Sequence, residues 1–200
     1  MSIDVSVINF QAAQDAIRRE LEKFRGGKVV TVGIHESAGS VEGGDLTMAS
    51  LGATHEFGAS INHPGGTAYG YASKAAADRD EIRFLKAGSG YMVLGETKPH
   101  KIEIPARPWL APGVASASQE IIATIADGIE AGQTPDDTLE AVGLVAVGAV
   151  KQYMTELKTP PNAASTIRKK GSSNPLIDTG AMRASVTHAV TAEKVEEGLR

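Results

Sequence analysis

Two histidine–glutamate pairs are the residues of this chain whose types could support metal chemistry. His35 is followed by Glu36, and His55 is followed by Glu56. Zinc-dependent hydrolases use such a pair on a helix, together with a second histidine four residues further on. Neither pair has that later histidine. The sequence therefore keeps a small metal-dependent hydrolase using these four residues only as an alternative, and predicts no metal site.

Other catalytic arrangements are not indicated by the sequence. No Gly-x-Ser-x-Gly nucleophile sequence is present, and Gly88-Ser89-Gly90 has no following helix that could hold a phosphate. The chain has no cysteine, which excludes thiolate nucleophiles, thiolate metal ligands and disulfides. These observations predict a non-enzymatic protein with no catalytic residues and no cofactor.

Basic side chains offer a different kind of chemistry, which is contact with acidic partners. Arg107 lies between two prolines, so its guanidinium is either presented to a partner or solvated beside the following helix. Arg168, Lys169 and Lys170 form a basic cluster that suits an acidic neighbour, a solvated arm or DNA. Three charges give only weak non-specific affinity for DNA, so a nucleic-acid-contacting module is a further alternative.

The composition predicts one α+β domain over residues 1–200 without a membrane segment. Hydrophobic residues make up 42% of the chain but aromatic residues only 4%, so the core must be mainly aliphatic. The net charge of -4 does not favour binding of nucleic acid by bulk electrostatics. No apolar signal core is present at the N-terminus, and the apolar run over 141–150 is too short to span a bilayer.

Apolar residues at helical spacing predict the elements that must position these side chains. They indicate an N-terminal helix over Gln11–Phe24, a short helix over Leu46–His55, and two long helices over Val114–Ala131 and Asp136–Leu157. Thr134, followed by proline and two aspartates, is a good start signal for the last of these.

Alternating and β-prone segments predict a small, mainly antiparallel sheet packed against the two long helices. Its strands are Lys28–His35, Lys101–Ile104 and Val186–Val195. The single tryptophan, Trp109, is expected in the core between helices and sheet. Before the last strand, Asp178 or Thr179 can cap a helix start, because a side-chain oxygen there can accept a hydrogen bond from the first turn.

Two segments are rich in glycine, proline and polar residues and lack apolar periodicity. The first is a long excursion at 59–103 that contains a β-hairpin, and the second is an extended arm at 158–174. Neither is expected to bury enough surface to order itself, so both should become ordered against neighbouring subunits. Tyr69, Tyr71 and Tyr91 are the aromatic candidates for subunit contacts, because aromatic side chains supply large buried area.

Four segments in this order resemble the neck and tail-completion (head–tail joining) proteins of tailed bacteriophages. They are His55–Gly58, Ile104–Leu110, Thr166–Lys170 and Pro175–Gly180, and the resemblance covers about residues 28–190. The chain departs from that pattern at Ser60–Lys101, which has the character of an insertion.

The resemblance implies a virion structural protein that acts as a ring at the neck or upper end of the tail. Its partners would be copies of itself, most simply six with twelve as the alternative, and neighbouring neck, portal-adaptor or tail-tube proteins. Transient contact with DNA in the channel is also implied. The protein would be found in the virion, and in the host cytoplasm during assembly.

Overall fold

The computed structural model describes residues 27–41 and 44–192, which form two compact units of an α+β fold. Unit 1 comprises the described part of 1–56 together with that of 107–200, and unit 2 is Phe57–Ala106. None of the helices in these ranges is long and apolar enough to cross a membrane. The predicted helix Gln11–Phe24 and the final residues of the predicted last strand lie outside the described ranges.

In the described ranges the short strands lie mainly in the first half of the chain, and five consecutive helices precede the last strand. The helices are α1 (Met48–Phe57), α2 (Lys74–Asp78), α3 (Leu110–Ser116), α4 (Ser118–Glu130), α5 (Pro135–Glu156), α6 (Ala164–Lys170) and α7 (Ala181–Ala184). The strands are β1 (Val29–Gly33), β2 (Ala59–His63), β3 (Ala68–Tyr71), β4 (Arg83–Phe84), β5 (Met92–Glu96), β6 (His100–Ile104) and β7 (Thr187–Thr191). A short 3₁₀ helix spans Glu36–Ala38.

Unit 1 is built on a two-stranded antiparallel sheet covered by helices. β1 pairs with β7, with Val29 opposite Thr191 and Gly33 opposite Thr187. Helix α5 packs against both strands, and α3 and α4 pack against α5. The predicted α+β class and the antiparallel pairing of the first and last predicted strands are therefore confirmed, and of the two predicted long helices it is α5 that packs on both strands.

The third predicted strand does not belong to that sheet. β6, the predicted Lys101–Ile104 strand, pairs instead with β2 at the start of the insertion, with Ile61 opposite Ile102 and His63 opposite His100. The insertion thus closes on itself by a local antiparallel pair. The β2 segment carries few apolar residues, so its sequence gives only a weak strand signal.

Local sequence signals explain where the long helices begin and divide. The Thr134 hydroxyl oxygen accepts a hydrogen bond from the Asp137 backbone N–H at 3.2 Å, and Pro135 occupies the first turn, as predicted. The segment predicted as one helix over Val114–Ala131 starts earlier, at Leu110, and divides at Ala117 into α3 and α4.

The core of unit 1 gathers side chains from distant parts of the chain. Its buried members are Met48, Trp109, Val150, Met154, Leu176, Met182 and Val186. Trp109 is only 3% exposed, so the prediction that it packs in the core is confirmed. The short helix α7 and the strand β7 follow Gly180, which lies at the N-cap of α7, so the strand predicted after this segment is present.

The segment 158–174 is not the extended arm that the sequence predicts. Helix α6 occupies its middle and ends at Gly171, which adopts the left-handed conformation that glycine favours. The prediction was wrong because the prolines at the start of the segment dominate its composition, while the helical residues after them carry little apolar periodicity.

Unit 2 contains two small antiparallel sheets and the helix α2. One sheet is the β2–β6 pair, and the other has the strand order β4-β3-β5. Over the whole of Phe57–Ala106, all of which the structure describes, the buried hydrophobic side chains are only Ala76 and Leu85. A core this small supplies little stabilisation by burial of apolar surface.

We expect Gly143→Ala to lower the free energy of unfolding by about 1–3 kcal/mol, because added atoms overpack a tight site. A Cβ at this position of α5 would overlap the ring of His188 on β7. The same substitution at Gly148 on α5 meets no atom within 4 Å and should stabilise the helix by about 0.5–1 kcal/mol. Urea unfolding of the two variants measures both values, and equal effects would contradict the close packing of α5 on β7.

Candidate functional site

Glu56 joins two of the four segments singled out in the sequence, His55–Gly58 and Ile104–Leu110. Its carboxylate accepts hydrogen bonds from the backbone N–H groups of Trp109 at 2.6 Å and Leu110 at 2.9 Å, with Ala111 further away at 3.4 Å. These N–H groups belong to the first turn of α3, which has no acidic residue of its own. Glu56 therefore caps α3 from another helix and places a negative charge at the positive end of its dipole.

Arg107 is buried inside unit 1. Only 6% of the residue is exposed, and its guanidinium donates to the backbone carbonyls of Pro160 at 2.8 Å and Pro161 at 3.2 Å. Its backbone N–H donates to the carbonyl of His55 at 2.6 Å. Both interpretations of the sequence left this side chain exposed. The structure corrects them, and Arg107 is removed from the set of candidate partner contacts.

Asn174 fixes the entry to the last segment of the pattern. Its side-chain amide donates to the carbonyl of Thr155 at 2.8 Å and of Met154 at 3.3 Å, near the C-terminal end of α5. Its side-chain oxygen accepts from the backbone N–H groups of Leu176 at 2.9 Å and Ile177 at 3.0 Å. Leu176 is thereby held in the core, where it is 6% exposed.

The backbone at Gly58, the last residue of the segment His55–Gly58, requires a glycine. Gly58 has a φ of +76°, and a Cβ there would lie 2.8 Å from the carbonyl oxygen of Ile104. Both the left-handed conformation and the close approach of the chain exclude larger residues. Gly58 precedes β2, and Ile104 ends β6, so this close contact lies at one end of that strand pair in unit 2.

We call His55, Glu56, Arg107, Trp109 and Asn174 the motif junction. Glu56, Arg107, Trp109 and Asn174 each direct a side-chain polar group to the backbone of another segment of unit 1, and the backbone carbonyl of His55 accepts from the Arg107 N–H. These contacts fix the path of the chain. They support a structural role, since they hold distant segments of unit 1 together.

Among the residues of the motif junction, His55 carries an unusual group. Its Nδ1 atom is buried and has no hydrogen-bond partner. Burial, followed by the positive charges of Arg107 and Lys170, lowers the pKa of the imidazole below its ordinary value of about 6.5. The neutral imidazole is thus the form that the fold accommodates.

This environment predicts that the stability of the protein falls with acidification. Because the folded-state pKa of His55 is lowered, the unfolded chain binds the proton more readily, and stability present above about pH 6.5 is lost as the pH falls below that value. We expect the unfolding free energy of the wild-type protein to drop more steeply between about pH 7.5 and 5 than that of His55→Gln. Urea unfolding at several pH values measures both slopes, and parallel slopes would contradict the prediction.

The four residues of the hydrolase alternative do not form a metal centre. Within 27–41 and 44–192, no group of three His, Cys, Asp or Glu side chains is placed to hold a metal ion. The Nδ1 atom of His35 lies 2.8 Å from the hydroxyl of Thr187, and the Glu56 carboxylate is engaged in the cap of α3. This geometry gives the hydrolase hypothesis no support.

The other candidate contact residues are distributed over both units. In unit 2, Tyr91 is exposed, whereas Tyr69 and Tyr71 are half-buried. The Tyr71 hydroxyl donates to Asp80 at 2.5 Å, and this hydrogen bond raises the pKa of the tyrosine. Tyr69 lines an open cleft of about 490 Å³ together with residues 96–100.

The basic cluster on α6 is only partly available to a partner. Arg168 and Lys169 are exposed, but Lys170 is half-buried and donates to the backbone carbonyl of Asn174 at 2.5 Å. Burial is the main reason why the pKa of Lys170 is lowered. Only Arg168 and Lys169 of this cluster are therefore exposed to a partner, whereas the DNA contact predicted from the sequence was based on three cationic side chains.

Unit 2 exposes many large apolar side chains, of which sequence reasoning singled out only Tyr91. They are Phe57, Ile61, Ile82, Phe84, Tyr91, Met92, Val93, Leu94 and Ile102. We call this set the apolar surface of unit 2. A signal was available, because residues 87–95 form a run without a single charged side chain. Four of these residues, Tyr91 to Leu94, are consecutive, so this set is the main candidate for contacts with other chains.

Comparison of the chain with protein-family models, curated proteins and solved structures found no match.

Proposed function

We propose that this chain is a non-enzymatic structural subunit of a tailed-phage virion, placed in the neck or upper tail. It acts in a homo-oligomeric ring that joins head and tail or completes the tail. The observation that carries the proposal is the imbalance within unit 2, whose buried hydrophobic side chains are Ala76 and Leu85 while its apolar surface is exposed. A unit of this kind gains stability when neighbouring chains cover it.

The resemblance of the four segments to phage neck and tail-completion proteins supplies the identity of the assembly. The motif junction gives those segments a shared physical role, because Glu56, Arg107 and Asn174 each bind the backbone of a distant part of unit 1. A rigid unit 1 combined with an apolar unit 2 suits a subunit that is completed by its neighbours. Its partners would be copies of itself and the adjoining neck, portal-adaptor or tail-tube proteins.

Deletion of the gene from the phage that encodes this chain tests the proposal. Electron microscopy of lysates should show separate heads and tails, and infectivity should be lost. Supplying the wild-type chain from a plasmid should restore joined particles, as should the variant Glu130→Ala, which alters an exposed residue at the end of α4. Normal infectious particles formed without the protein would defeat the proposal.

A further inference from the structure

The β4-β3-β5 sheet has two edges at which no strand of the described ranges 27–41 and 44–192 pairs, and the two edges differ. β4 is two residues long and contains Arg83, whereas β5 runs over five residues from Met92 to Glu96. Proteins protect sheet edges from unwanted pairing by making them short or by placing charges on them. β4 has both forms of protection, so the free edge suited to pairing is that of β5.

The side chains of β5 add apolar contact area to its unpaired backbone. Met92, Val93 and Leu94 are exposed by 48%, 57% and 44%. Tyr69 pairs with Gly95 and Gly70 with Val93, so Leu94 is an extra residue that breaks the alternation of the strand. Three consecutive apolar residues are therefore exposed on one edge strand. A bulge can also blunt an edge, but this one adds an apolar side chain and no charge.

We propose that β5 pairs antiparallel with β5 of a second copy of this chain across a two-fold axis. The joined sheet would have the strand order β4-β3-β5-β5-β3-β4. A second copy is the favoured occupant because the same apolar edge is present on each chain, and two identical open edges satisfy each other in a closed pair. The uncharged run over 87–95 also lets two copies approach without repulsion between like charges.

The favoured register follows from the side chains of the strand. With Val93 opposite Leu94 of the second copy, Met92 falls opposite Gly95, and Tyr91 falls opposite Glu96. Met92 then faces a glycine, Val93 packs on a leucine, and the Tyr91 hydroxyl can donate to the Glu96 carboxylate at each end of the pair. This inference rests on the proposed structural role and deepens it by naming one contact between two copies of the chain. That contact is two-fold symmetric, so it differs from the head-to-tail contact that closes a ring.

Light scattering coupled to size-exclusion chromatography tests the pairing with full-length protein. We expect Val93→Lys to halve the mass of the wild-type species, which for a simple pair means a change from twice 20.8 kDa to 20.8 kDa. Ile122→Lys places the same charge at an apolar position that is 62% exposed on α4, and should keep the wild-type mass. A wild-type protein that stays monomeric, or a Val93→Lys variant that keeps the full mass, would overturn the proposal.

Cross-linking supplies a second readout that does not depend on a disruptive variant. The natural chain has no cysteine, so a single introduced thiol reports only its own surroundings. A short bifunctional thiol reagent should join Val93→Cys into a covalent dimer, and should leave Ile122→Cys monomeric. Equal cross-linking of the two variants would count against the β5 contact.

The two proposals fail in distinguishable ways. If Val93→Lys halves the mass but phage lacking the protein still joins heads to tails, the pairing stands and the virion role is lost. If Val93→Lys keeps the full mass while phage lacking the protein shows unjoined parts, the virion role stands and the pairing is wrong.

Discussion

Replacing Trp109 with alanine is expected to lower the free energy of unfolding by about 3–5 kcal/mol, the largest effect of any single change considered for this chain. The indole is 3% exposed and belongs to the core of unit 1. Its Nε1–H donates to the backbone carbonyl of Gly52 at 3.0 Å, so truncation also leaves a buried acceptor without its partner. A loss of this size is a large share of the 5–15 kcal/mol that stabilises a typical domain.

Two further variants separate the causes of this loss. Trp109→Phe keeps an aromatic ring but loses the hydrogen bond to Gly52, and should cost about 1–2 kcal/mol. Phe57→Ala removes an aromatic ring that is 71% exposed, and should change the stability of the free subunit by less than about 0.5 kcal/mol. Urea unfolding measures all three variants when it is followed by far-ultraviolet circular dichroism, a backbone signal that does not rely on the replaced tryptophan. A small loss for Trp109→Ala would contradict the assignment of Trp109 to the core.

Helices and their boundaries could be predicted where the signals are local. Helix α5 carries its own start signal at Thr134 and an apolar face that contacts β1, β7, α3 and α4, so periodicity and capping agree. The β1–β7 pair was also predictable in type, because both segments are β-prone. Its exact register was not, since the two strands are separated by most of the chain.

The contacts of the candidate site were less predictable because their partners are far apart in sequence. The guanidinium of Arg107 binds carbonyls 53 and 54 residues further along the chain, and no pattern around it shows that those carbonyls are near. The rigid prolines on either side therefore suggested that Arg107 is presented to a partner. In the structure the same rigid segment holds a buried side chain. The apolar surface of unit 2 was overlooked for a related reason, since a strand with exposed apolar residues resembles a buried one in sequence.

The arrangement of the motif junction explains why segments so distant in sequence could share one pattern. Glu56 lies in the last turn of helix α1, and the backbone that it caps begins directly after Arg107 and Pro108. Trp109 then enters the core beside Gly52 of α1. A change in any one of these residues would disturb the others, because they share the same short stretch of backbone. The contacts of these residues thus serve the folding of unit 1.

Glu56→Ala is the second variant with a large expected effect, a loss of about 2–3 kcal/mol of unfolding free energy. The carboxylate is a charged acceptor for two backbone N–H groups, at 2.6 and 2.9 Å. A hydrogen bond to a charged group contributes about 1.5–3 kcal/mol. Its charge also interacts favourably with the dipole of α3, by about 0.3–1 kcal/mol. Alanine removes both contributions and leaves the first turn of a seven-residue helix without a cap.

The amide and an exposed glutamate serve as matched controls for this prediction. Glu56→Gln keeps an oxygen acceptor of the same reach but no charge, so its loss should be roughly 1 kcal/mol. Glu130→Ala removes an exposed carboxylate from the last residue of α4, and should stay within about 0.5 kcal/mol of the wild-type protein. Urea unfolding ranks the three variants. If Glu56→Ala were no more destabilising than Glu130→Ala, the capping of α3 by Glu56 would not contribute to stability, and the structural role of the motif junction would lose its principal support.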